Sequence, residues 1–180
     1  MTIVFTGGGT GGHFYPIIAI AEALDDLVRE KRLIAPALYY LAPNSFDEKA
    51  LFENGITYVH IPAGKIRRYV SFRNFTGIFS TAFGVLLALI TLFRLYPDVV
   101  VSKGGYGSVP TVLAAWLLRI PIIIHESDSK PGRGNLFGAK FAQKIAISFE
   151  SAAAYFPKRV QGIIARTGIP IRKALMRMET

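Results

Sequence analysis

The feature that most constrains this chain is a series of short, unbroken, β-branched apolar runs, each released into a polar or glycine-bearing loop. Val99-Val100-Val101 and Ile122-Ile123-Ile124 are the clearest. A strand with one wet face alternates apolar and polar residues, whereas a run apolar at every position is buried on both faces. The expected sheet is therefore parallel, with helices on each side, because parallel strands need a crossover between them. Such runs place strands at residues 2–6, 37–41, 58–61, 98–102, 121–125, 144–147 and 162–164. Helical patterns fall between them at 15–31, 46–54, 73–95, 109–118, 135–141 and 151–155. The expected fold class is α/β, a doubly wound parallel sheet of Rossmann-like type.

In such a sheet ligands sit beyond the carboxyl ends of the strands. Three polar loops fall there. The first, Gly7-Gly8-Gly9-Thr10-Gly11-Gly12-His13, follows the run Ile3-Val4-Phe5 and leads into a helix. Two glycines would suffice for a tight turn. Five argue for close backbone approach to a ligand, and a strand, glycine loop and helix N-terminus together make an anion site. Gly7, Gly9 and Gly12 match G-x-G-x-x-G, but the second strand ends Leu41-Ala42-Pro43-Asn44, without the acid that binds a dinucleotide ribose. No Gly-Lys-Ser/Thr follows, which excludes a Walker loop. His13, at the helix start, is either a general base kept neutral by the helix dipole or a residue that lines the loop.

The second loop is Lys103-Gly104-Gly105-Tyr106-Gly107-Ser108-Val109-Pro110. Its N–H groups and the Ser108 hydroxyl suit a phosphate or sugar hydroxyl, and Tyr106 is an unusual choice for a turn alone. The third is His125-Glu126-Ser127-Asp128, followed by Pro131-Gly132 and Asn135. Glu126 and Asp128 are two carboxylates at the ligand edge, suited to taking a proton or accepting from sugar hydroxyls. Asp128 is equally suited to capping the next turn. Their spacing matches no metal site.

The chain has 180 residues and no cysteine, enough for one good core without disulfides or a thiolate metal site. It enters a strand at once, with no basic segment or cleavage site of a signal peptide. The charge is uneven. Residues 1–53 carry a net −3 and residues 54–180 a net +12. That asymmetry points to an anionic partner or to a solvated basic face. No zinc-finger spacing or RNP-like aromatic pattern supports nucleic acid.

Residues 74–93 contain no charged side chain, and Lys65, Arg67, Arg68 and Arg73 precede or border them. Phe72, Phe75, Ile78, Phe79 and Phe83 lie alongside. The stretch is long enough to span a bilayer, yet Gly77, Gly84 and five polar residues interrupt it. The expectation is a crossover helix with one face on the sheet and its N-terminal half on anionic lipid; a wholly buried crossover helix is the plainer alternative. Thr167-Gly168-Ile169-Pro170-Ile171-Arg172 reads as a boundary, giving one domain over 1–165 and the start of a linker over 166–180.

Taken together these segments resemble the MurG family, peripheral membrane transferases of peptidoglycan synthesis. The resemblance rests on Gly7–His13 with Pro16, Ala19 and Ala21-Glu22; on Lys103–Pro110; on His125–Asp128 with Pro131-Gly132 and Asn135; and on Thr167–Arg172. It implies a GT-B fold of two Rossmann-like domains, of which this chain is the N-terminal, acceptor-side one. It implies transfer of N-acetylglucosamine from UDP-N-acetylglucosamine to lipid I, forming lipid II, at the cytoplasmic face of the plasma membrane. His13 would be the catalytic base. Thr10, Gly11, Gly12, Gly104, Gly105, Tyr106, Ser108, Glu126, Asp128 and Asn135 would bind the acceptor and its diphosphate. Lys65, Arg67, Arg68, Phe72, Arg73, Phe75, Ile78 and Phe79 would touch the membrane. Ser127-Asp128 stands where relatives often carry Gln-Asn. No cofactor is implied, with room left for a divalent cation in the full enzyme. The donor domain is expected in a further segment or a separate chain, so this chain alone is expected to be inactive. A non-catalytic membrane-recruiting subunit of a split two-chain transferase is the alternative; an oxidoreductase domain is disfavoured by the missing ribose acid.

Overall fold

In a computed structural model the chain forms a seven-stranded, all-parallel sheet covered by helices on both faces. The structure describes residues 1–8, 10–65 and 72–176, with the backbone alone for 72–75 and 176. The strands are β1 (Thr2–Thr6), β2 (Ala37–Ala42), β3 (Ile56–His60), β4 (Val99–Ser102), β5 (Ile122–Glu126), β6 (Lys144–Ile147) and β7 (Ile164–Arg166), in the order β3-β2-β1-β4-β5-β6-β7. The helices are α1 (Gly11–Glu30), α2 (Glu48–Glu53), α3 (Phe72–Leu95), α4 (Val109–Leu117), α5 (Arg133–Gly138) and α6 (Lys173–Met176). Three 3₁₀ segments, Tyr106–Ser108, Glu150–Tyr155 and Lys158–Ile163, complete the described elements.

Strand alternation divides the core in two. Ile3 and Phe5 of β1 face α1 and α2, where Phe14, Ile17, Ile18, Ala21, Ala50 and Leu51 bury against Tyr40 and Ile56. Val4 points the other way, into a layer built from Leu41, Val100, Ile122 and Ile124 with Ala88 and Leu92 of α3 and Val112, Ala114 and Ala115 of α4. Val99, Val100 and Val101 thus alternate between the two helical layers, as their pattern required, whereas Ile122 and Ile124 join the α3–α4 layer and Ile123, on the other face, is half-buried and belongs to neither.

Every expected strand is present, with shifted edges. β3 starts two residues earlier than expected, and β7 lies two residues later because a 3₁₀ segment takes up 158–163. The expected helix at 151–155 is also 3₁₀. α1 begins at Gly11 rather than 15, which places Pro16 inside it. Pro16 removes the donor that the Gly12 carbonyl would otherwise meet, so the first turn relies on contacts such as His13 N–H to Thr10 O at 3.1 Å. His13 is therefore the third residue of the helix.

α3 carries a correction of extent. One face packs on the sheet through Ala88 and Leu92, as expected. Its solvent face is apolar along most of its length, through Ile78, Phe79, Phe83, Leu86, Ile90 and Phe93, and not in the N-terminal half alone. Only 17% of the apolar window within Thr76–Leu95 is buried, so a wholly buried crossover helix does not describe it. One of its two glycines, Gly84, has a packing reason of its own, while a Cβ at Gly77 would make only ordinary contacts. The segment at 62–65 lies directly on the helix, and a Cβ at Gly84 would overlap the Pro62 carbonyl. Thr81 ties the two together, accepting from Gly64 N–H at 3.0 Å and donating to Gly77 O at 2.9 Å. Lys65 is exposed. Arg67 and Arg68 lie outside the described residues, as do the side chains of Phe72, Arg73 and Phe75.

Candidate functional site

The strand order reverses between β1 and β4, and the first two polar loops leave the sheet there. Lys103 N–H donates to Thr6 O at 2.8 Å, extending the pairing one residue beyond β4 so that both loops depart at one level. The loops then interlock. Gly8 lies against Gly107, and Gly105, at φ +80°, rests where any Cβ would overlap the Gly8 carbonyl. Tyr40 donates to the Gly7 carbonyl at 3.2 Å from beneath. The glycine density thus serves loop-to-loop packing as well as close approach of a ligand. Sequence counting assigned it to the ligand alone. Gly9 lies outside the described residues.

Above this floor the N-terminus of α1 is open. Thr10 is extended and makes no side-chain cap, and Thr10 and Gly12 are exposed. The unsatisfied N–H groups of a 20-residue helix therefore face outward, the arrangement that attracts an anion. Gly11 is half-buried beneath the Phe46 ring.

His13 is half-buried and its ring lies on Gly105. Burial, reinforced by the neighbouring Lys103 charge, lowers its pKa, while Glu126 and Asp128 pull the other way. The imidazole is thus biased toward the neutral form that accepts a proton. Tyr106 is half-buried at the start of its 3₁₀ turn. Gly104, at φ +85°, packs against the Asn135 side chain so closely that no Cβ fits.

The third loop is held by its own polar residues. Glu126 is buried; one carboxylate oxygen accepts from Asp128 N–H at 2.9 Å, the other from Gly132 N–H at 3.0 Å and Asn135 Nδ2 at 2.9 Å. Asn135 also donates to the His125 carbonyl at 3.1 Å. Ser108 is buried with its hydroxyl bonded to Gly105 O at 3.0 Å. These three side chains, read from sequence as ligand contacts, are engaged in shaping the loops. Asp128 alone among the expected polar contacts of this loop is exposed.

Two residues of the site were quoted only as parts of motifs. Lys103 is buried at the end of β4, and burial lowers its pKa against the opposing pull of Glu126 and Asp128. His125 is buried on β5, and burial with the Lys103 charge pushes its pKa down to about 4. Their positions at strand ends were the available signal; their burial was not. Among the described residues no three His, Asp or Glu side chains converge as a cation site.

The sequence pattern of the glycosyltransferase family 28 N-terminal domain matches residues 3–147. The chain belongs to that family. Two relatives carry the name UDP-N-acetylglucosamine--N-acetylmuramyl-(pentapeptide) pyrophosphoryl-undecaprenol N-acetylglucosamine transferase. The one from Borreliella afzelii is 43% identical over 97% of this chain and 47% of its own length. The one from Treponema pallidum is 39% identical over 95% of this chain and 43% of its own. The chain thus spans about half the length of the curated relatives it matches. Among solved structures, Acinetobacter baumannii MurG superposes with a TM-score of 0.69 at 24% identity, covering 96% of this chain and 46% of that one. A Neisseria meningitidis UDP-GlcNAc 2-epimerase superposes at 0.64 with 14% identity, over 94% and 46%. The α/β fold of this family 28 domain is that of one half of a GT-B enzyme.

Proposed function

We propose that this chain is the acceptor-binding half of a glycosyltransferase that moves N-acetylglucosamine from UDP-N-acetylglucosamine to lipid I, forming lipid II. The observation that carries this reading is His13, held neutral between two interlocked glycine loops at the open N-terminus of α1. The names of the relatives supply the donor and the lipid-linked acceptor.

In this reading the exposed start of α1 at Thr10–Gly12 holds the acceptor diphosphate, without calling on a metal, with Gly105 beside it; Gly104, expected as a further donor, is buried and its N–H is taken by Ser102 Oγ at 3.2 Å. Tyr106 and Asp128 frame the sugar. His13 takes the proton from the acceptor hydroxyl, whose oxygen attacks the sugar carbon opposite the departing UDP, so the anomeric configuration inverts. The donor sits on a second domain beyond the linker that starts near 166. Lys65 and the aromatic start of α3 rest on the anionic cytoplasmic face of the plasma membrane. The product feeds cell-wall synthesis, and through it cell shape and division.

The test is His13→Ala in an enzyme that contains both halves. Turnover is expected to fall by about 10²-fold or more, the usual contribution of a positioned base, with acceptor KM little changed. Unchanged turnover removes the base assignment; a loss confined to KM makes His13 a contact residue.

A further inference from the structure

One charged group at the site has nothing to pair with. Lys103 is 2% exposed, and among the described residues no hydrogen bond or ion pair reaches its ammonium. The Lys103 stem is buried, but its ammonium is not among the fully enclosed unpartnered atoms, so the charge reaches the surface of the site on a fixed stem, where an anion can meet it. Its surroundings narrow the use. The side chain leaves the backbone against Gly7 of the first loop. It lies within electrostatic reach of His13, His125, Glu126 and Asp128. Of the two acids, Glu126 is already bonded to Asp128 N–H, Gly132 N–H and Asn135, and Asp128 is turned to solvent. What is open on this side is the uncapped start of α1, which lies above the interlocked glycine loops.

We propose that Lys103 is the counter-cation of a phosphate or diphosphate group seated at the uncapped start of α1, above the two interlocked glycine loops. The backbone N–H groups supply directional hydrogen bonds there, and Lys103 supplies the full charge that they lack. The inference rests on the acceptor-side reading for which diphosphate is meant, but not for the presence of the anion. It carries a consequence for His13. Without an anion, the Lys103 charge opposes protonation of the imidazole; Glu126 and Asp128, from the β5 loop, favour it, and the Lys103–Gly105 backbone packs on the ring. An anion seated on Lys103 cancels that opposition, so ligand arrival strengthens the base.

The experiment is calorimetric titration of the chain with inorganic pyrophosphate at low salt, beside NMR titration of the His13 ring. The wild type is expected to bind, and bound pyrophosphate to raise the His13 midpoint. Lys103→Met is expected to weaken binding by about tenfold or more, and Lys103→Arg, which keeps the charge, to restore most of it. Without ligand, Lys103→Met is expected to raise the His13 midpoint. Lys140→Met, at an exposed lysine after α5, controls for general loss of charge and is expected to bind as the wild type does. Far-UV circular dichroism checks folding, and Lys103→Met keeps the apolar stem that packs in the site. No binding by the wild type, or equal binding by wild type and a folded Lys103→Met, overturns the proposal. Farnesyl diphosphate and UDP separate the sources. Lys103-dependent binding of farnesyl diphosphate supports both inferences. Lys103-dependent binding of UDP alone keeps the counter-cation and overturns the acceptor-side reading.

Discussion

At the scale of single residues, burial disfavours the charged forms of three basic groups of the site, His13, Lys103 and His125. His125 shows the thermodynamic consequence most plainly. Its pKa is about 4 in the folded chain, against an ordinary value near 6.5. Between those values the unfolded chain holds a proton that the folded one does not, so stability is complete above about pH 6.5 and drains away as pH falls toward 4. The difference is worth roughly 3 kcal/mol for a group this buried, and His13 shifts in the same direction. Urea midpoints at pH 7.5 and 5 test this: the wild type should lose stability on acidification, and His125→Leu should lose much less. An equal loss in both would place the acid-sensitive group elsewhere. The same residues mark the limit of sequence reading. That His13 and Asp128 lie at the carboxyl edge of the sheet was legible, because their positions in the loops after β1 and β5 sufficed. Glu126, Asn135 and Ser108 were read as ligand contacts because their types suit that role. Which partner a carboxylate meets depends on how the loop folds, and here Asp128 N–H and Gly132 N–H reach Glu126 first. Lys103 was read as a flank of its glycines because burial at a strand end leaves no mark in local pattern.

At the scale of elements, apolar runs fixed every strand because a parallel strand must satisfy two layers, and few other patterns allow that. Edges were harder. The start of α1 depends on Gly11 and Gly12, of which Gly11 is set beneath the Phe46 ring from the loop after β2, and the 3₁₀ segments after β6 have no period long enough to read. In α3, Gly84 shows propensity and packing in conflict. Gly84→Ala gains about 1 kcal/mol of helix propensity, but the new methyl meets the Pro62 carbonyl and the Pro110 ring. Overpacking of this kind costs typically 1–3 kcal/mol, more where backbone must move. The expected net result is destabilisation by about 1 kcal/mol and a Tm lower by roughly 2–4 °C. A higher Tm would mean that segment 62–65 yields freely, and α3 would then owe little to it.

At the scale of the whole molecule, the two faces of α3 pull toward different solvents. The helix is long and apolar enough to cross a bilayer, but it is built into the sheet architecture: Ala88 and Leu92 share a core with Val4, Leu41 and Val100, and Gly64 is bonded to Thr81. To span, it would have to leave that core and strip the crossover between β3 and β4. Loss of several buried side chains, each worth about 1.5–3 kcal/mol, opposes this. The exposed stripe of Ile78, Phe83 and Leu86 is instead placed to enter the interface while the opposite face stays on the sheet. In the sequence the basic residues Lys65, Arg67, Arg68 and Arg73 precede or open this helix, and a basic residue contributes about 1 kcal/mol near an anionic surface. The apolar term is not screened by salt, whereas the basic one is. Vesicles containing phosphatidylglycerol should therefore bind the chain at low salt and release part of it at high salt. Arg67→Glu with Arg68→Glu should lower low-salt binding toward the high-salt level, and Phe83→Ser should lower both. Alkaline carbonate should strip the chain completely, since nothing spans. Chain retained after carbonate and extracted only by detergent would mean that α3 crosses the bilayer, and β3 and β4 then could not share the sheet in the membrane-bound form.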